Sequence, residues 1–235
     1  MSRHISPRVH CRTKSGGGCT HGNDDGRGPD PGPGSRPAVR RTLANHPTAG
    51  RRATSVPPMD STEIWDLIET ARDEAEDPGD ADSVAETLVR LLADRDAEVI
   101  EEFDVALAAL VAESYTTELW AAAYLINGGA SDDGFDYFRG WLIAQGRDVF
   151  EAAVADPDSL ADVPTVRGAM AEGDELECEA MLGVAWDAYS AATEDDLPDA
   201  GKRALPELAP MWDFDDEQAM SEHLPRLTAL AYDAD

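Results

Sequence analysis

The sequence predicts an all-α fold for residues 59–235, and three observations carry that prediction. Apolar residues recur at spacings of three and four through most of the stretch, as the inner face of a helix requires. No segment alternates apolar and polar residues over the length of a strand. Ser, Thr or Asp precedes several of the periodic runs, and Pro or Gly follows them, which are helix start and stop signals. The expected architecture is a compact array of about seven helices. Short C-terminal helices follow it, and a disordered N-terminal extension precedes it.

The first helix is expected over 61–76, with Ile64, Trp65, Leu67, Ile68, Ala71 and Ala75 as its apolar face. Asp60 is its N-cap and Glu63, three residues on, is the reciprocal capping-box partner. Asp77-Pro78-Gly79-Asp80 ends it. The second runs over 83–93 and shows Val84, Leu88, Leu91 and Leu92 on one side. The third covers 97–115, where Val99, Ile100, Phe103, Ala106, Leu107, Leu110 and Val111 keep the amphipathic spacing. The fourth, 118–126, is apolar nearly all round, so it must be buried on most sides. Asn127-Gly128-Gly129 closes it in residues that tolerate a left-handed C-cap. A fifth over 133–145 is capped by Ser131 or Asp132 and stopped by Gly146, and a sixth over 148–155 stops at Asp156-Pro157. Residues 158–174 read as loop with a short turn. A seventh helix is expected over 174–192, and the Pro-bearing tail holds short helices near 215–223 and 226–232.

Residues 1–58 differ in kind. They are rich in Gly, Pro and Arg, lack Trp, Tyr and Phe, and show no hydrophobic period. Such a segment buries too little apolar surface to order itself. It has no apolar core of a secretory signal. The abrupt change at Met59 is the basis for a hypothesis that Met59 is the native start and that 1–58 come from a misassigned upstream start codon. The alternative is a genuine basic tail. The intact mass of the natively expressed protein decides between them.

Charge divides the same way. Residues 1–58 hold ten Lys/Arg and three Asp, net +7, whereas residues 59–235 hold nine Lys/Arg and 45 Asp/Glu, net −36. A field this negative repels phosphates, since nucleic-acid binding runs on Lys/Arg neutralisation. It repels anionic membrane likewise, and no apolar run approaches the roughly 20 residues of a membrane helix. It favours a basic protein partner. Cys178 is the one cysteine of the acidic part, so no disulfide forms within it. The expected setting is the reducing cytoplasm.

The block WAAAYLINGGASDDGFDYFRGWLIAQGRDVFEAAVADPDSL at 120–160, with IWDLIETAR at 64–72, resembles the bacterial family known as domain of unknown function 4240. The likeness is strong over 59–160 and looser beyond. It implies an all-α domain that opens with the Ile64-Trp65 helix, and it implies no activity, cofactor or catalytic residue.

Two constellations lie in the central block. Asp132, Asp133 and Asp136 read D-D-x-x-D, a pattern whose carboxylates one helical turn apart can hold Mg²⁺ with a phosphate. The plainer reading is helix capping, because Asp is favoured in a first turn. A second copy at Asp195, Asp196 and Asp199 is interrupted by Pro198. The other constellation is aromatic and basic: Trp120, Tyr124, Phe135, Tyr137, Phe138, Arg139, Trp141, Arg147 and Phe150, with Asn127 beside it as a further binding candidate. Its rings are expected in the core and its arginines in local ion pairs. The functional alternative is a pocket in which guanidinium groups grip an anion. Nucleophilic catalysis is poorly supported, since carboxylates surround Cys178 and His223 is the one histidine of the acidic part. The leading expectation is a non-enzymatic interaction module, needing no cofactor, that binds a basic protein as an inhibitor or immunity-type protein does. The alternative is a ligand-binding protein or metal-dependent enzyme built on Asp132, Asp133, Asp136, Arg139 and Arg147.

Overall fold

A computed structural model describes residues 59–199 and 204–232, all within one unit spanning 52–235. The expectations for the N-terminal extension lie outside the described residues. Among the described residues there are helices and no strands. They are α1 (Ser61–Glu74), α2 (Ala81–Ala93), α3 (Ala97–Glu113), α4 (Thr117–Ile126), α5 (Asp132–Ala144), α6 (Arg147–Ala155), a 3-10 helix (Pro157–Asp162), α7 (Pro164–Glu172), α8 (Glu179–Thr193), α9 (Glu217–His223) and α10 (Pro225–Tyr232). None is long and apolar enough to cross a membrane.

Local chemistry starts the array where the sequence places it. Asp60 accepts hydrogen bonds from the Thr62 and Glu63 amides at 2.8 and 3.0 Å, and the Glu63 carboxylate accepts from the Asp60 amide at 3.0 Å. Both halves of the capping box are therefore made, and orphan donors of the first turn find partners. Thr116 and Ser131 cap α4 and α5 with one bond each, accepting from the Leu119 and Gly134 amides at 3.2 and 3.1 Å.

α8 is the hub, packing on α2, α3 and α5, and α2 also carries α1. Met181, Val184, Ala185 and Ala188 form the inward stripe of α8. The approach of α5 demands a glycine. A Cβ on Gly140 would stand 2.2 Å from the carbonyl oxygen of Cys178. α4 buries eight of its ten residues, because α5, α7, α10 and the 3-10 helix all pack around it.

Two expectations are corrected. The 158–174 stretch is not loop: it forms the 3-10 helix and α7. Pro164 occupies the first turn of α7, where its missing N–H is harmless, and Gly173 closes it at φ 77. Val166 and Ala169 are its buried positions. The helix expected from 174 begins only at Glu179. Residues before it are held extended by distant partners: the Leu176 amide donates to Asn127 and the Cys178 amide to the Tyr137 carbonyl. Those bonds replace the ones a helix would make.

Candidate functional site

α5 presents the D-D-x-x-D carboxylates. Asp132 and Asp133 lie exposed in its first turn, behind the Ser131 cap, whose hydroxyl accepts from the Gly134 amide at 3.1 Å. Asp136 points back to Arg139, one turn on, and pairs with its guanidinium. Among the described residues no three His, Cys, Asp or Glu side chains are grouped to hold a metal ion.

Arg139 is the largest fully buried side chain, with 1% of its surface exposed. A guanidinium taken from water needs charge and hydrogen bonds in return. It receives them from Asp136 and from the Val111 carbonyl, to which it donates. Its carbon also lies 4.9 Å from the ring centroids of both Tyr115 and Phe135. Trp120 stacks on Phe135 at 4.7 Å and donates its indole N–H to the Ala130 carbonyl at 3.1 Å. Trp141 is buried against Phe138 at 5.3 Å.

The remaining residues stand apart from that cluster. Arg147 donates through Nε to Glu151 at 2.7 Å, and its amide donates to Glu69 at 2.9 Å, so Glu69 caps α6 from α1. Asn127 holds the 174–178 segment through the amide and carbonyl of Leu176 at 3.0 and 3.4 Å. Tyr124 donates to Asp215 at 2.6 Å, and this bond, with some burial, pushes its phenol up to about 12. These candidate residues thus serve several different junctions.

Among the described residues two grooves stand out, and of the Asp triad and the aromatic and basic constellation only Tyr137 lines one of them. One, of about 630 Å³, runs between Glu113–Glu118 and the extended 204–209 segment. The other, of about 510 Å³, is lined by Asp82 and Glu86 of α2, Tyr137 of α5, and the Glu177-Cys178-Glu179-Ala180 stretch that opens α8. Its electrostatics are those of crowded acids. Desolvation, with Glu175 nearby, raises the Glu177 carboxyl. Glu179 raises the Tyr137 phenol. Burial, then a hydrogen bond to Asp82 at 3.2 Å, pushes the Cys178 thiol up to about 12. A protonated thiol is a poor nucleophile, whereas four carboxylates around one groove are acceptors for cationic donors. The sequence carried a signal for this groove in the Glu175–Glu179 run, but the contribution of α2 depends on the packing.

The family model described as "Protein of unknown function (DUF4240)" matches residues 59–191, more than half of the chain. The chain belongs to this family. No curated protein and no solved structure matches the chain. The DUF4240 match takes in α1 to α7 and nearly all of α8, and so includes both the Arg139 cluster and the acidic groove.

Proposed function

We propose that this DUF4240 protein is a non-enzymatic cytoplasmic module that binds a basic protein through its acidic surface. The observation that carries the reading is the fate of the cations. Of the seven arginines among the described residues, Arg72, Arg90, Arg139, Arg147, Arg167 and Arg226 are each paired with a carboxylate of the same chain. Against 45 Asp/Glu in residues 59–235, the charge left to the surroundings is negative. A surface of one sign steers a partner of the other sign and rejects phosphate polymers. The burial of Arg139 supports the same reading, since its guanidinium is already engaged inside.

The test is capture by the full chain from lysate of its own host, at low and moderate salt. The expected result is one basic protein, retained stoichiometrically and released as salt rises. A stoichiometric partner without a basic surface, or one whose binding ignores salt, would overturn the reading.

A further inference from the structure

We propose that the basic partner is seated on the outer face of α8, where Trp186 stacks on an arginine-rich segment whose flanking cations enter the groove of Asp82, Glu86, Glu177 and Glu179. This rests on the reading that the partner is basic, and it assigns the surface and the chemistry of the segment.

Trp186 is 52% exposed, the most exposed large apolar side chain among the described residues. Trp is the residue type most enriched among interface anchors, so a half-exposed indole is a side chain a partner can cover. Residues 179, 183 and 186 of α8 fall on one outer stripe, three and four apart, while Leu182 beside them turns toward α5, its Cγ 3.5 Å from where a Cβ on Gly140 would stand. At 1.5 Å per residue, Glu179 precedes Trp186 by about 10 Å along the axis, so the ring stands on the same side of α8 as the groove's Glu179 edge. Gly183 between them has only the Asp187 carboxylate near a would-be Cβ, at 3.8 Å, so a ligand backbone can lie close there. Leu182 and Tyr189, one turn before and after Trp186, are both partly buried.

Charge complementarity chooses the occupant. From 168 to 199 the chain has ten Asp/Glu and no Lys, Arg or His. A second copy of this chain, itself at net −29, would be repelled. An arginine-rich segment satisfies both halves of the face. A guanidinium stacks on an aromatic face and forks onto carboxylates, where an ammonium is a strongly hydrated point charge.

The test uses the full chain and fluorescein-labelled nona-arginine and nona-lysine peptides, with anisotropy read at low and moderate salt. Nona-arginine is expected to bind more tightly than nona-lysine. Trp186→Ala should weaken nona-arginine about five- to tenfold, and Trp186→Phe should restore part of the loss. A Glu86→Gln/Glu179→Gln pair should flatten the salt dependence, and Glu113→Gln/Glu118→Gln at the other groove should not. Circular dichroism checks that each variant is folded. Binding of neither peptide overturns both the basic-partner reading and this surface. Binding that Trp186→Ala leaves unchanged, or that the two glutamate pairs weaken equally, overturns this surface alone. Sedimentation showing a dimer abolished by Trp186→Ala would assign the face to a second copy instead.

Discussion

Arg139 shows how one side chain organises the family block. Its guanidinium draws α5 onto the end of α3 through Val111, and it supports the Tyr115, Phe135 and Trp120 rings. Asp136 is half exposed, so the two partners are not equivalent. Removing Asp136 strands a buried cation, whereas removing Arg139 strands a carboxylate that water can reach. Asp136→Asn is expected to cost roughly 1–3 kcal/mol in urea unfolding. The same change made on top of Arg139→Met should cost almost nothing, a coupling that a double-mutant cycle reads directly. Equal costs in both backgrounds would mean that the pair does not hold α5. Gly140 gives a second residue-scale test. Gly140→Ala drives a methyl into the Cys178 carbonyl, a backbone group that cannot rotate away, and is expected to destabilise by about 1–3 kcal/mol. Cys178 itself should be slow toward thiol reagents in the native state at mildly alkaline pH and fast in urea. Its proton is held up to about 12 by burial and by Asp82. A folded pKa above the unfolded value means that the native state keeps a proton which the unfolded chain releases. Stability is therefore full below about 9 and falls as pH rises toward 12. Cys178→Ala should flatten that part of the fall.

At the scale of elements, what was legible in the sequence was what neighbours along the chain determine. The Asp60 and Glu63 box, a cap on α5 from Ser131 or Asp132 (Ser131 in the fold) and the all-round apolarity of α4 are local statements, and each has its counterpart in the fold. The misses are non-local. α7 carried its signals, Pro164 and Gly173, but a Pro-led stretch of weak amphipathicity reads as loop until the 3-10 helix and α10 are seen beside it. The late start of α8 follows from Asn127, 49 residues from Leu176, and no window along the chain contains both. Of the candidate residues, Trp120, Asp136 and Arg139 share one cluster, whereas Tyr124, Asn127 and Arg147 are tied to other junctions that no spacing along the chain reveals. α10 offers the sharpest case. The buried Asp158 carboxylate accepts from the amides of Arg226 and Leu227 at 2.9–3.1 Å, so α10 is capped from the 3-10 helix. Asp158→Ala should release that helix end and lower stability by about 1–2 kcal/mol. Hydrogen exchange should quicken in α9 and α10 before α8. Uniform quickening across all helices would show that the tail is no separate unit.

For the whole molecule, charge sets the conditions of stability. Residues 59–235 carry a net −36, and like charges held together in a compact state oppose it. Salt within the ordinary range shortens the reach of that repulsion to about 10 Å, so the thermal midpoint should rise with added NaCl. Acid should act in the same direction over a limited window. Asp104 and Glu177 have carboxyls raised mainly by desolvation, so the native state takes up their protons before the unfolded chain does. As pH falls from neutrality through their folded values, stability rises, and the gain is complete once the unfolded value is passed. Asp162 works the other way. Its hydrogen bond and charge contact with Arg226 hold it below 3.8. Its contribution is present above that value and disappears as pH falls through the lowered one. Thermal melts from pH 8 down to pH 3 should therefore pass through a maximum on the acid side of neutrality, followed by a steep loss. Salt should help most at the alkaline end, where more carboxylates are charged. A midpoint that falls steadily from neutral pH downward, with no response to salt, would mean that self-repulsion does not limit this fold. The acidic surface would then carry no penalty in stability to be offset when a basic partner binds.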